Sequence, residues 1–146
     1  MSRLSFVPTD KWSQELRDFV QADRASEIEL GITRMLAHAP KAAMGPLQFG
    51  AALGVNRTLP ERLIELLRLR IAFHNQCRSC MAIRYSAAKG SFDEATACAL
   101  EQPEIPSTLS KPERLAIELG DRFATQHLTI DGDFFEQLKA QFTEEE

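Results

Sequence analysis

Two cysteines, Cys77 and Cys80, are separated by only two residues in the segment HNQCRSC. Residues three apart lie on one face of a helix, so two thiols at this spacing are neighbours and can close a short-loop disulfide. Asn75 is predicted to be the N-cap of a helix that carries both. Cys77 then falls in the first turn, where the positive end of the helix dipole favours thiolate over thiol. The spacing therefore predicts a redox-active dithiol.

The same spacing has two other interpretations. Cys-x-x-Cys is also half of many zinc sites, but such a site needs two more ligands, and only His74 and Cys98 are candidates. Two inert, buried cysteines are the other alternative. Redox chemistry without a metal or organic cofactor is the preferred interpretation. Cys98 lies in an apolar run and is predicted to be a core residue, because a free cysteine packs as a small hydrophobe.

Three further residues could take part in the chemistry. Glu65 lies inside an apolar helical run, from Leu63 to Phe73, that is predicted to be packed on several sides. It is either a solvated or arginine-paired glutamate, or a partly buried carboxylate that faces the cysteines and passes protons. His74 is either a helix C-terminal cap or a general base for the thiol chemistry. Arg84, one turn beyond Cys80, extends the cysteine face and can stabilise a thiolate by its charge.

The elements that position these residues are predicted to be helices. Apolar residues recur at spacings of three and four, and no segment alternates as a half-buried strand would, so the fold class is all-α. A first helix is expected around Trp12 to Val20 and a second around Ile28 to Leu36. Residues 41–53 contain Gly45 and Pro46, which predicts either a broken helix or one that begins at Pro46.

Capping signals mark the later helices. The Ser/Thr-x-x-Glu capping box, in which a hydroxyl and a carboxylate satisfy free amides, occurs three times, at Thr58 with Glu61, Ser91 with Glu94 and Ser110 with Glu113. Asp131 is predicted to cap a helix that carries Phe134, Leu138 and Phe142. Thr143 with Glu146 repeats the spacing at the end of the chain, which predicts that a final helix is missing there.

The composition and charge of the chain argue against several classes of protein. A chain of 146 residues with 44% hydrophobic content suits one domain, residues 1–146. It contains no stretch of about 20 apolar residues and no secretory signal at its start, so no membrane partner is expected. A net charge of −4 without a basic stripe argues against nucleic acid. Three cysteines, an odd count, suit a reducing compartment, and the predicted location is the cytoplasm.

This pattern resembles the AhpD-like, or carboxymuconolactone decarboxylase, superfamily of small helical proteins. Its members carry a glutamate in an apolar helix, Cys-x-x-Cys twelve residues later, and a histidine four residues after the second cysteine. The likeness is strongest from Leu59 to Gly90, and residues 110–142 look like later helices of the family. The positions that match are Glu65, Cys77 and Cys80, followed by Tyr85, Ala88 and Gly90. The resemblance implies an AhpD-like helical fold that assembles as a homo-oligomer, a trimer or hexamer.

The resemblance also implies roles. In the alkylhydroperoxidase members the second cysteine attacks the peroxide, the first resolves the sulfenic acid, and the glutamate and histidine relay protons. Carried across, Cys80 is peroxidatic, Cys77 is resolving and Glu65 belongs to the relay. Arg84 occupies the histidine position, and a guanidinium cannot act as a general base. Ser79 stands where some relatives have a second histidine.

The expected function is a thiol-dependent peroxidase or disulfide oxidoreductase of antioxidant defence. Its substrate is a hydroperoxide or a disulfide, and an unidentified thiol is the electron donor. Because Arg84 replaces the relay histidine, peroxidase turnover is expected to be weak. The alternative is a weakly active or non-enzymatic redox-responsive protein of the same fold. Decarboxylation is disfavoured, since that branch of the superfamily does not depend on a Cys-x-x-Cys pair.

Overall fold

The computed structural model describes residues 3–83, 90 and 93–146. Their regular structure is entirely helical, which confirms the all-α fold class. Two 3-10 turns cover Thr9–Lys11 and His127–Thr129. The α-helices of the described residues are α1 (Gln14–Phe19), α2 (Gly31–Leu36), α3 (Pro40–Asn56), α4 (Glu61–His74), α5 (Arg78–Ala82), α6 (Glu94–Ala99), α7 (Lys111–Thr125) and α8 (Gly132–Lys139). None of them is both long and apolar enough to cross a membrane.

The chain divides into two compact units, Met1–Arg57 and Thr58–Glu146. The organisation as one domain stays a prediction. The first unit packs around Trp12, Leu16 and Leu30, all buried. Helix α1 begins after Trp12, because the Ser13 hydroxyl accepts a hydrogen bond from the Leu16 amide and caps it.

Helix α3 of the first unit runs through a proline. The prediction of a break, or of a start at Pro46, is wrong: the helix begins at Pro40 and continues to Asn56 with Pro46 inside it. Pro40 is harmless because the first turn of a helix has no partner for its amides, whereas Pro46 costs one backbone hydrogen bond. Ala43 is the buried residue of this helix, and most of its surface is exposed.

The second unit is built around α4, which is buried on several sides as predicted. Its core cluster comprises Leu66, Leu69, Ala97, Leu100, Leu109 and Ile117. Helices α4 and α7 approach closely at Gly120, where a Cβ atom would lie 2.7 Å from Cδ1 of Leu67. This close packing fixes the helix that leads into the cysteine segment.

The capping predictions for the second unit had mixed outcomes. Ser110 and Glu113 form the predicted box at α7, and Asp131 accepts from the Phe134 amide at α8. Burial opposes ionisation of Glu113, but hydrogen bonds from Arg62 and Ser110 outweigh it and hold the pKa of that carboxyl below its ordinary value. The capping contacts between Thr143 and Glu146 are also present.

Two predicted helix starts differ from those in the structure. Thr58 does not cap α4; Pro60 precedes the first helical residue, Glu61. The reason is steric, because a residue that precedes proline, here Leu59, is disfavoured in helical conformation. Helix α6 is capped by Asp93, whose carboxylate accepts from the Thr96 amide. The predicted cap Ser91 lies outside the described residues.

Candidate functional site

Cys77 and Cys80 are joined by a disulfide, with their Cα atoms 5.2 Å apart. The predicted pairing is therefore confirmed, and both residues are half-buried. Cys98 is a free cysteine and is exposed, so the prediction that it lies in the core is wrong. Helix α6 turns Ala97 into the core, and the next residue is rotated by roughly 100° toward solvent.

The turn between α4 and α5 places Cys77. Gln76 adopts a left-handed conformation, with φ of 48°. Its amide donates to the Phe73 carbonyl, and the Cys77 amide donates to the Ala72 carbonyl, both at 3.0 Å. This pair of bonds is a Schellman motif, which satisfies the last carbonyls of a helix and reverses the chain. Cys77 is thus fixed directly to the end of α4.

The predicted N-cap of the cysteine helix is wrong. Asn75 is the C-cap of α4, and Cys77 itself is the N-cap of α5. The sulfur of Cys77 accepts from the Cys80 amide at 3.4 Å, and its carbonyl accepts from the Met81 amide at 2.9 Å. The chain cannot start a new helix at Asn75, because the left-handed Gln76 intervenes. Cys77 therefore precedes the first turn of α5.

Glu65 is held by Arg68. The carboxylate is 3% exposed and accepts two hydrogen bonds from the guanidinium, at 2.6 and 2.7 Å. The same guanidinium donates to the carbonyls of Cys80, at 2.5 Å, and Ile83, at 2.8 Å. The arginine-paired interpretation of Glu65 is confirmed, and the carboxylate reaches the cysteine segment through Arg68. A cation at these carbonyls complements the negative end of α5.

A cavity of about 700 Å³ lies beside the cysteine segment. Arg78, between the two cysteines, and Met81, directly after them, form part of its wall. The other described wall residues belong to the end of α4, to the turn that follows it and to the connection from α6 to α7: Arg70, Phe73, His74, Gln76, Leu100, Glu101, Gln102 and Pro103. Charged and polar residues predominate in this wall, and its described apolar residues are Phe73, Met81, Leu100 and Pro103.

His74 lies in this wall within a cluster that sequence reasoning missed. Its Nε2 atom is 2.6 Å from Oδ1 of Asp121, and Arg70 binds both oxygens of that carboxylate, at 2.5 and 3.0 Å. Arg70 is a charged residue inside the apolar run of α4, and a buried charge needs a partner. This was the one signal in the sequence. The partner is 51 residues away, on α7, so no local pattern could identify it.

Comparison with models of known families, with characterised proteins and with solved structures finds no match for this chain. The AhpD-like assignment therefore rests on the spacing of Glu65, Cys77 and Cys80, and it is a proposal.

The remaining predicted site residues are placed as follows. Ser79 is exposed on α5, between the cysteines. Arg84 lies outside the described residues, as do Tyr85 and Ala88, so the predicted position of Arg84 beside Cys80 stays a prediction. In the part of the chain that the structure describes, no group of three or more His, Cys, Asp or Glu side chains is arranged to hold a metal ion.

Proposed function

We propose that this chain is a thiol-dependent oxidoreductase whose Cys77–Cys80 pair alternates between dithiol and disulfide. The observation that carries the proposal is a half-buried disulfide beside a cavity of about 700 Å³. That volume suits a small organic hydroperoxide or disulfide. The AhpD-like resemblance supports the same reaction, with a role in antioxidant defence in the cytoplasm, whose thiols would reduce the pair again.

The proposed reaction with a hydroperoxide has two steps. The Cys80 thiolate attacks the terminal peroxide oxygen, the O–O bond breaks, and Cys80 becomes a sulfenic acid while the departing alkoxide takes up a proton. The Cys77 sulfur then attacks the Cys80 sulfur and releases water. In sum, two thiols and one hydroperoxide give a disulfide, an alcohol and water. A disulfide substrate would be reduced to two thiols by exchange at the same cysteines.

The second candidate is a redox-responsive protein of the same fold with little turnover. The contact that favours it joins Arg68 to the Cys80 carbonyl and to the buried Glu65. This contact ties the cysteine segment to a buried ion pair of α4, a structural role that requires no turnover. The replacement of the family histidine by Arg84 also favours low turnover.

Counting free thiols before and after oxidation tests the dithiol. The fully reduced chain has three thiols, and stoichiometric hydrogen peroxide is expected to leave one, on Cys98. Cys77→Ser and Cys80→Ser should each fail to form the intramolecular disulfide, whereas Cys98→Ser should form it normally. Peptide mapping that finds Cys98 in the principal disulfide would contradict the proposal. Consumption of many hydroperoxide molecules per chain, with dithiothreitol as donor, distinguishes the enzyme from the redox-responsive protein.

We further propose that the chain forms a homo-oligomer, and the resemblance suggests a trimer or hexamer. Helix α3 supports self-association, because Phe49 and Leu53, one turn apart, are 67% and 56% exposed and no charged residue lies between them. Sedimentation of the purified chain should give a mass well above 16.4 kDa. Leu53→Glu should shift the distribution toward the monomer. A wild-type monomer at all concentrations would contradict the proposal.

A further inference from the structure

The cavity beside the disulfide has an imidazole in its wall that is oriented by a buried ion pair. His74 comes from the end of α4, and its partner Asp121 comes from the middle of α7. The His74 side chain is 29% exposed and the Asp121 side chain 25%, so the pair lies at the edge of the protein interior. This arrangement joins two helices that are already closely packed at Gly120.

Asp121 is held in place by Arg70. Arg70, which holds it, is 3% exposed and donates further hydrogen bonds to the carbonyls of Leu100, Gln102 and Pro103. The guanidinium keeps its charge at physiological pH, and its planar fork binds both oxygens of the Asp121 carboxylate. The carboxylate of Asp121 is therefore an anionic acceptor of fixed position.

The geometry also fixes the tautomer of His74. An ionised carboxylate can only accept, so Nε2 of His74 must carry the hydrogen in the bond to Asp121. The free lone pair of the neutral ring is then on Nδ1. A neutral imidazole accepts a proton and an imidazolium donates it again, so Nδ1 is the ring atom that can exchange a proton.

We propose that Nδ1 of His74 exchanges the protons of the cysteine reaction, and that Asp121 and Arg70 are its positioning residues. This inference rests on the proposed oxidoreductase function. The described charged groups at the cavity are Arg70, His74, Arg78, Glu101 and Asp121. Neither arginine can give up a proton, Asp121 is occupied by Arg70, and Glu101 is an exposed carboxylate on the connection from α6 to α7. Histidine is thus the side chain of this set suited to both accept and donate near neutral pH.

A single imidazole is sufficient to transfer all the protons of the reaction. Neutral His74 takes the proton of the attacking thiol, which leaves a thiolate and an imidazolium. As the O–O bond of a hydroperoxide breaks, the imidazolium returns that proton to the alkoxide, and an alcohol leaves. The proton of the second thiol joins the hydroxide of the sulfenic acid to form water when the disulfide closes. His74 ends neutral, and no further reactant is required.

The test is the pH dependence of hydroperoxide reduction by the 146-residue chain, measured with tert-butyl hydroperoxide and dithiothreitol between pH 5.5 and 8.5. His74→Asn should lower the rate constant by about 10²–10⁴-fold. It should also remove the part of the pH dependence of the rate constant that the imidazole contributes. His127→Asn is the matched control, because that exposed histidine lies in the 3-10 turn after α7, and it should leave the profile unchanged. Asp121→Asn should shift that part of the pH dependence to a different pH.

A second measurement separates proton transfer from a structural role. Free imidazole should restore part of the rate to His74→Ala, whereas a variant that had merely lost packing would not respond. If His74→Asn keeps the wild-type rate and pH profile while three thiols still become one on oxidation, the relay is wrong and the dithiol function stands. If the wild-type chain keeps all three thiols, the oxidoreductase function fails, and the relay fails with it.

Discussion

Arg70→Met is expected to lower the free energy of unfolding by about 3–5 kcal/mol, the usual cost of removing one partner from a buried ion pair. Arg70 is 3% exposed, and its loss leaves the carbonyls of Leu100, Gln102 and Pro103 without this donor and leaves Asp121 with His74 as its one partner among the described side chains. Domains of this size are stable by about 5–15 kcal/mol, so the variant would lose a large fraction of its stability. Urea unfolding followed by far-UV circular dichroism measures the effect.

Two matched variants sharpen this prediction. Arg70→Lys keeps the charge but replaces the planar fork by a single ammonium group, so it should be intermediate. Arg78→Met removes an exposed arginine from the same cavity wall and should change the stability by no more than about 0.5 kcal/mol. An Arg70→Met variant as stable as Arg78→Met would show that the buried cluster contributes nothing to folding.

Glu65→Gln is expected to act on the disulfide segment although residue 65 is on another helix. The substitution removes the charge that holds Arg68, whose guanidinium contacts the carbonyls of Cys80 and Ile83. A hydrogen bond to a charged group contributes about 1.5–3 kcal/mol to stability. This free energy corresponds to roughly 10–150-fold in the equilibrium constant for local opening. Amide hydrogen exchange at Met81 and Ile83 should accelerate by that factor, and dithiothreitol should reduce the disulfide faster.

The control for this prediction is Glu118→Gln. It breaks a pair between Glu118 and Arg122 on the surface of α7, where the carboxylate side chain is 39% exposed. Exposed pairs of this kind contribute about 0–1 kcal/mol, so amide exchange in α5 should not change. If Glu65→Gln leaves exchange in α5 as slow as Glu118→Gln does, Arg68 does not hold this helix through the buried pair.

Features encoded by neighbouring residues could be predicted from the sequence. The all-α class follows from the apolar spacing, and the caps at Ser110 and Asp131 follow from side chains that reach amides two or three residues away. The disulfide follows from a separation of three residues. Each of these depends on groups within one turn of each other, so the rest of the fold has little influence on them.

Features that depend on the surroundings could not be predicted. The left-handed turn at Gln76 carries no glycine, so nothing in the sequence marks the end of α4 there, and Asn75 looks like the N-cap of the cysteine helix when it is the C-cap of α4. The exposure of Cys98 depends on which face of α6 packs on α4. The ion pair of Arg70 and Asp121 joins helices that are distant along the chain. In all three cases tertiary packing selects among local conformations that the sequence alone permits.

The anchoring of the two cysteines has a consequence for the proposed redox cycle. The Cys77 amide is bound to the Ala72 carbonyl, and the Cys80 carbonyl is bound to Arg68; neither contact involves the bond between the sulfurs. The backbone can therefore keep both thiols within closing distance after reduction. Intramolecular reactions between well-oriented groups reach effective concentrations of about 10⁵–10⁸ M. If the pair cycles as proposed, a mixed disulfide with an outside thiol should be displaced almost at once, and electrons would be exchanged in pairs.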